Sequence, residues 1–209
     1  MMAKVLDPVF ARPRGMLGQL GGRIMARTNV DVERLVVELA RLSAGESVLV
    51  VGPGPGVGLR LAAEAVGAAA GGRPVTGGGP VIGVEPSATM RAQATERCAD
   101  LIAAGRIELR DGDAARTGAP DASMHAVISV NNVMFWPDRD AALTELRRVL
   151  RPGGRLVVFS HEIGLRVAGI GLDQLRAEAE RAGFTGVTVD THGHASLMGT
   201  AVELQAHRP

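Results

Sequence analysis

The sequence contains a single cysteine, Cys98, among its 209 residues. One cysteine can form neither a disulfide within the chain nor a thiolate cluster for a metal ion. Cys98 lies in a predicted helix, where we expect a buried and unreactive thiol. The one closely spaced histidine pair, His192 and His194, comes with no third ligand in view. We therefore predict that this pair is solvated and that the chain has no metal site.

Aromatic residues and excess charge are scarce as well. There are four Phe, one Trp and no Tyr, too few for the base-stacking platforms that bind single-stranded nucleic acid. The formal net charge is only +1, so we expect no nucleic-acid or anionic-membrane partner. The sequence shows neither an apolar run of 18 residues nor a signal-peptide pattern, and we expect a cytoplasmic protein.

Glycine, by contrast, is abundant, and one stretch concentrates it. Residues 48–51 (VLVV) form an apolar, mainly β-branched run that is typical of a buried strand. Every second residue from Gly52 to Gly58 is glycine, and a helical pattern begins at residue 57. Glycine lets a ligand lie against the main chain, and a helix N-terminus adds unpaired N–H donors. We predict a strand–turn–helix nucleotide cradle, the alternative being a plain Gly/Pro turn.

Strand and helix patterns alternate along the rest of the chain. The predicted strands are 48–51, 80–85, 106–110, 126–130, 156–159, 186–191 and 199–206. The predicted helices are 15–27, 31–42, 57–70, 87–104, 139–150 and 172–182. This alternation predicts a parallel sheet covered on both faces, with its ligand beyond the carboxyl ends of the strands. Four polar residues follow predicted strand ends there: Glu85, Asp113, Asn131 and His161.

The glycine spacing discriminates between nucleotide ligands. The dinucleotide fingerprint G-x-G-x-x-G is not met, because residue 57 is Val and residue 59 is Leu. This opposes a nicotinamide-dependent oxidoreductase, which is one alternative function. The observed spacing, G-x-G-x-G after a hydrophobic strand, resembles motif I of the class I S-adenosylmethionine (SAM) dependent methyltransferases.

Three later segments resemble the same family. The segment 84–87 (VEPS), followed by Met90, resembles the acidic motif after the second strand. The segment 112–114 (GDA) resembles the adenine-contact motif, and 145–154 (ELRRVLRPGG) resembles the helix end before the fifth strand. Over residues 46–160 the chain is similar to the small-molecule, ubiquinone-biosynthesis-like group (methyltransferase type 11).

The resemblance implies an α/β fold with a single Rossmann-like, doubly wound sheet and helices on both faces. The sheet would have seven strands, mostly parallel, with the last strand antiparallel. Residues 1–42 would form an N-terminal helical cap or arm, and residues 43–209 the SAM-binding core of what is one domain overall.

The resemblance also implies a SAM site, with S-adenosylhomocysteine (SAH) as the product. Gly52, Gly54 and Gly56 would let the backbone approach the methionine and ribose parts of the cofactor. Glu85 would accept hydrogen bonds from both ribose hydroxyls, because a carboxylate suits a vicinal diol.

Five further residues complete the implied cofactor site. Asp113 would accept a hydrogen bond from the adenine amine, with the amide of Ala114 near a ring nitrogen. Pro86 and Met90 would flank the adenine, and Asn131 would hold the methionine end. Simple turn or core roles remain the alternatives for Asp113 and Met90.

Two positions depart from the family pattern. An acidic residue usually stands two before the first motif glycine, where this chain has Val50. An Asp often stands at the start of the fourth strand, where this chain has His125. We expect either departure to weaken or reshape cofactor binding. The two departures keep open an alternative function, a non-catalytic SAM-binding or protein-interaction module on the same fold.

The sequence says less about the molecule that accepts the methyl group. The resemblance implies methyl transfer to a small molecule on O, C or N, by an in-line displacement that depends mainly on positioning. We expect an apolar or aromatic acceptor, because Phe135 and Trp136 follow the fourth strand, although Trp136 equally suits packing against the next helix. His161 is the candidate base. With no large insertion in the sequence, the pocket is shallow, open or completed by a second copy in a homodimer.

Overall fold

The computed structural model describes residues 30–67, 79–196 and 199–209. The predicted helix over 15–27 lies outside these residues, as does the end of the predicted helix over 57–70. Within them, the strands are β1 (Val48–Val51), β2 (Val81–Val84), β3 (Ile107–Arg110), β4 (Met124–Val130), β5 (Leu150–His161), β6 (Thr185–Ser196) and β7 (Gly199–His207). The helices are α1 (Val30–Leu39), α2 (Val57–Gly67), α3 (Ala88–Arg97), α4 (Ala99–Ala103), α5 (Arg139–Val149), α6 (Glu162–Val167) and α7 (Leu172–Arg181).

The seven strands form one sheet in the order β3-β2-β1-β4-β5-β7-β6. The first five strands of this order pair in parallel, and β7 is antiparallel to both β5 and β6. The chain winds outward from β1 in both directions, which makes the sheet doubly wound. The predicted fold class, including the antiparallel last strand, is confirmed.

Helices cover both faces of the sheet, because the buried strands carry apolar side chains on both sides. In β1, Leu49 and Val51 join one hydrophobic cluster, and Val48 and Val50 join the other. The first cluster is packed by α5, α6 and α7, and the second by α1, α2 and α4. We refer to these as the α5 face and the α2 face.

Helix α1 belongs to the α2 face and has a defined direction on it. Arg155 donates hydrogen bonds to the carbonyls of Ala40 and Arg41 and pairs with Glu46. Arg155 lies opposite Ala126, near the amino end of the parallel β4–β5 pairing. The last turn of α1 is therefore held at the amino edge of the sheet, and its first turn points toward the carboxyl edge.

Three local features differ from the sequence prediction. The helix expected over 87–104 is interrupted at Cys98, whose backbone leaves the helical region and whose thiol contacts the Gly56 carbonyl. Strand β5 begins at Leu150 rather than 156, because Gly153 and Gly154 pair with Arg208 instead of forming a free turn. Helix α6 was not predicted, since its six residues are too short for a periodic pattern.

Candidate functional site

The turn between β1 and α2 forms the centre of the carboxyl edge. Gly54 has a φ of +53°, and a Cβ atom there would meet nothing within 4 Å. Gly56 has a φ of +87°, and a Cβ atom there would lie 2.9 Å from the Cα and Cβ of Ala94 in α3. Both positions favour glycine, for different reasons. Gly56 allows α3 to approach, whereas Gly54 leaves its backbone open to a ligand.

Glu85, at the end of β2, is fixed beside this turn. Its Oε2 accepts a hydrogen bond from the Gly54 amide at 3.0 Å, and its Oε1 accepts one from the Ser87 amide at 2.9 Å. The residue is only 6% exposed. Burial raises the pKa of Glu85, while these two amides and Arg91 act in the opposite direction. Each carboxylate oxygen can accept a further hydrogen bond, as a ligand diol requires.

The residues after Glu85 form the start of α3. Ser87 caps this helix, accepting a hydrogen bond from the Met90 amide at 3.4 Å. Met90 is buried, whereas Pro86 is exposed. Of the two residues predicted to flank an adenine ring, Pro86 is therefore the one with open surface, while Met90 packs inside.

Asp113 and Ala114 lie beyond the end of β3. Oδ1 of Asp113 accepts a hydrogen bond from the Ala115 amide at 3.0 Å, and its Oδ2 lies 3.6 Å from Arg116. Its side chain is 34% exposed, and Ala114 is buried. These contacts are those of an Asx turn. They leave the role of Asp113 toward adenine as a prediction.

Two successive asparagines follow β4 and connect it to the neighbouring strands. Asn131 has a φ of +54°, and its Oδ1 accepts a hydrogen bond from the His161 amide at 3.1 Å. Asn132 donates from Nδ2 to the Val51 carbonyl at 2.7 Å. Its Oδ1 accepts hydrogen bonds from Ser129 and Trp136. Sequence reasoning assigned no role to Asn132, yet it holds the β4 loop against the glycine turn.

His161 ends β5 and is only 7% exposed. Neither ring nitrogen has a hydrogen-bond partner in the described part of the chain, and burial lowers the pKa of His161. Burial therefore favours the neutral form of this imidazole. A buried imidazole with both nitrogens unbonded is unusual in a folded protein, and it leaves this ring able to bond a ligand.

A second imidazole lies in the same row of the sheet. His161 pairs with Ala201 in β7, and Ala201 pairs with His192 in β6. The Nε2 of His192 lies 2.6 Å from Oε2 of Glu203, which is buried. The expectation that His192 is simply solvated is therefore wrong.

Within the ranges given above, no three His, Cys, Asp or Glu side chains are grouped to hold a metal ion.

The two departures from the expected pattern lie in different places. Val50 is buried among the apolar residues of the α2 face. His125 stands near the start of β4, at the amino edge, and its Nδ1 accepts a hydrogen bond from the Ser47 amide at 3.1 Å. His125 is therefore at the opposite edge from the glycine turn, so its expected influence on ligand binding there has no structural basis.

Apolar side chains are exposed near the same edge. Phe135, after β4, is 43% exposed, and Ile163 and Val167, one turn apart in α6, are 37% and 66% exposed. Trp136 is instead buried in the core of the α5 face and bonded to Asn132. Exposed apolar side chains therefore follow both β4 (Phe135) and β5 (Ile163 and Val167) at the carboxyl edge. No helix among the described residues has the length and apolar character to cross a membrane.

Comparisons with known proteins identify relatives of this chain. The family described as "Methyltransferase domain" matches residues 49–158. The arsenite methyltransferase of Halobacterium salinarum is 31% identical over an alignment of 166 residues, and the match covers 72% of this chain and 40% of that protein. This chain thus spans two fifths of the length of that relative.

Solved structures share the fold at low sequence identity. Phosphoethanolamine N-methyltransferase 2 of Haemonchus contortus, in complex with phosphomonomethylethanolamine and SAH, superposes with a TM-score of 0.74 at 16% identity. The match covers 98% of this chain and 59% of that one. The [4+2]-cyclase SpnF superposes with a TM-score of 0.68 at 18% identity, over 100% of this chain and 93% of that one.

Proposed function

We propose, from the premise that this chain belongs to the methyltransferase domain family, that it transfers the methyl group of SAM to a small-molecule acceptor. The observation that carries the proposal is the pairing of Gly54 with Glu85. An open backbone position and a fixed, buried carboxylate lie side by side at the carboxyl edge of the sheet.

The residues present fit SAM. Its adenosine offers a vicinal diol, and Glu85 keeps acceptor capacity on both oxygens after bonding the amides of Gly54 and Ser87. Gly54 provides main chain that is open to a ligand, and we assign the main chain of Gly52 to the same site. A Cβ atom at Gly52 would instead lie 2.6 Å from Nδ2 of Asn132. Pro86, Met90, Asp113 and Ala114 are the residues that we assign to the adenine, and Asn131 is assigned to the methionine end.

When bound, SAM supplies an electrophilic methyl group on a sulfonium. The contribution of the chain is mainly to hold this group and the acceptor in line, because good positioning alone can supply about 7–11 kcal/mol. Asn131 and Asn132 fix the ends of β4, β5 and β1 relative to one another. This rigidity is what such positioning requires.

On the acceptor side, we propose an apolar or aromatic molecule methylated on O, C or N. The exposed Phe135, Ile163 and Val167 support this class, since they are apolar side chains that follow β4 and β5. His161 is assigned as the base for an O–H or N–H acceptor, because burial favours its neutral form and its nitrogens are unbonded in the described structure. The N-terminal residues 1–42, and a second copy of the chain in a homodimer, are proposed to complete the pocket.

The first experiment is calorimetric titration of the protein with SAH, repeated on Glu85→Ala. We expect micromolar binding, about −8 kcal/mol, and at least a tenfold loss in the variant. Transfer of labelled methyl groups from SAM to a panel of aromatic and apolar O–H and N–H compounds then tests the reaction. The absence of SAH binding to the wild-type protein would refute the proposal.

A second candidate function is a SAM-binding protein that performs no methyl transfer. The similarity of the whole chain to a [4+2]-cyclase favours keeping it, because this fold also carries other chemistry. Micromolar SAH binding without methyl transfer to any compound of the panel is the result that favours this second function.

A further inference from the structure

Glu33 in the first turn of α1 lies against the first turn of α2. A Cβ atom built on Gly58 would overlap the carboxylate of Glu33, with Cδ only 3.0 Å away. Gly58 directly follows the glycine turn of the proposed cofactor site. The absence of a side chain at residue 58 therefore allows a carboxylate from another helix to reach the edge of this site.

This carboxylate has no partner within residues 30–67, 79–196 and 199–209. Among the described residues, Asp31 in the first turn of α1 pairs with Arg34, and both side chains are exposed. Val32 and Val36 of α1 and Leu59 of α2, which are neighbours of Glu33 and Gly58 along these helices, belong to the hydrophobic cluster of the α2 face. Burial raises the pKa of Glu33 to about 8. Glu33 is only partly exposed, and a carboxylate largely withdrawn from water is normally paired, because leaving it unpaired costs free energy.

The charges around the glycine turn indicate what Glu33 would bind. Glu85 approaches the turn from the β2 side and bonds the Gly54 amide, whereas Glu33 approaches from the α1 side at Gly58. With Glu85 assigned to the ribose diol, the amino-acid end of SAM extends away from β2. That end carries an ammonium, whose N–H groups are charged donors suited to a carboxylate. Val50, on the same face, has no charge to offer.

We propose that Glu33 binds the ammonium group at the amino-acid end of SAM. This assignment rests on the proposed function, and it adds a binding residue from outside the strand–turn–helix unit. It also supplies a carboxylate beside the glycine turn in a chain that has Val50, and no acidic residue, at the end of β1.

The test compares two ligands on matched variants by calorimetry at pH 7. SAH carries the amino-acid end, whereas 5′-deoxy-5′-methylthioadenosine retains the nucleoside and thioether without it. We expect Glu33→Gln to weaken SAH binding at least tenfold and to leave methylthioadenosine binding unchanged. Glu85→Gln should weaken both ligands. Glu38→Gln, an exposed carboxylate on the same helix, should weaken neither.

Other outcomes overturn the assignment in distinguishable ways. Wild-type affinity of Glu33→Gln for SAH would refute the role of Glu33 while leaving the proposed function intact. Equal weakening of both ligands would indicate a general structural role, which also refutes it. Should Glu33→Gln fail to fold, the wild-type protein can be titrated with SAH and with SAH lacking the amino group. Equal affinity for those two ligands would refute the assignment, and failure of wild type to bind SAH would refute the proposed function itself.

Discussion

Asn132 donates a hydrogen bond from its side-chain amide to the carbonyl of Val51, at 2.7 Å, across the ends of β4 and β1. Its Oδ1 accepts hydrogen bonds from Ser129 Oγ and from Trp136 Nε1, at 2.7 and 2.9 Å. One amide thus joins the end of β1, the end of β4 and the Trp136 indole in the loop before α5. The carboxyl edge is rigid at this point because of that network.

Replacing Asn132 with Ala should lower the free energy of unfolding by about 2–3 kcal/mol, since buried donors and acceptors lose their partners. Urea unfolding followed by circular dichroism measures this change. Thr144→Ala serves as the control, because it removes one exposed side-chain hydrogen bond to the backbone and should change stability by less than about 0.5 kcal/mol. A loss for Asn132→Ala no larger than the control value would contradict the role that we give to this network.

Gly56→Ala should mainly reduce stability, whereas Gly54→Ala should mainly reduce SAH binding. At Gly56 the new Cβ meets the backbone of Ala94, so we expect a loss of about 3 kcal/mol in stability. At Gly54 the Cβ enters open space, so the positive φ alone should cost about 1–2 kcal/mol. Gly54→Ala should instead weaken SAH binding at least tenfold. Thermal unfolding and calorimetry on the pair provide the two readouts, and the reverse ranking in either readout would contradict this division of roles.

The sequence was sufficient for the parts of the site that depend on local pattern. The strand, glycine turn and helix over residues 48–67 follow from consecutive residues, and so does the Ser87 cap of α3. Asn132 could not be identified in this way, because its partner Val51 is 81 residues away and no short-range pattern marks the contact. The same limit applies to Glu33 and Gly58, which meet only when α1 packs on α2.

Tertiary structure also overturned the expectations for two histidines. His125 was expected to affect cofactor binding, but it caps the Ser47 amide at the amino edge of the sheet. Only strand direction and register place it there. His192 was expected to be solvated, and its pairing with Glu203 depends on the β6–β7 register, which sequence periodicity does not fix.

Acid should weaken the protein partly through Glu145. The hydrogen bond from Arg148 and those from Thr117 lower the pKa of Glu145 to about 2. A carboxylate whose pKa is depressed by folding stabilises the protein above its unfolded pKa, near 4.5, and this contribution is lost as the pH falls toward 2. At pH 5 we expect Glu145→Gln to be less stable than wild type by about 2–3 kcal/mol, with the difference narrowing at pH 3.

Urea unfolding at the two pH values measures that difference. Glu38→Gln is the matched control, because Glu38 is an exposed carboxylate with no comparable network among the described residues. A difference between wild type and Glu145→Gln that stays constant from pH 5 to pH 3 would contradict the assignment to this carboxylate.

Glu33 should make the ligand-free protein less stable as the pH rises. Burial raises the pKa of Glu33 to about 8 in the folded state, against about 4.5 in the unfolded state. Between these values the folded protein binds more protons than the unfolded chain, so stability falls as the pH rises from about 4.5 to 8. Glu33→Gln removes this penalty, and we expect it to be at least about 1 kcal/mol more stable than wild type at pH 8.5 but of similar stability at pH 5. Urea unfolding at both pH values, without ligand, measures this difference. A variant that is less stable than wild type at pH 8.5 would show that the carboxylate has a stabilising partner in the folded chain, and would remove the reason to assign it to a ligand.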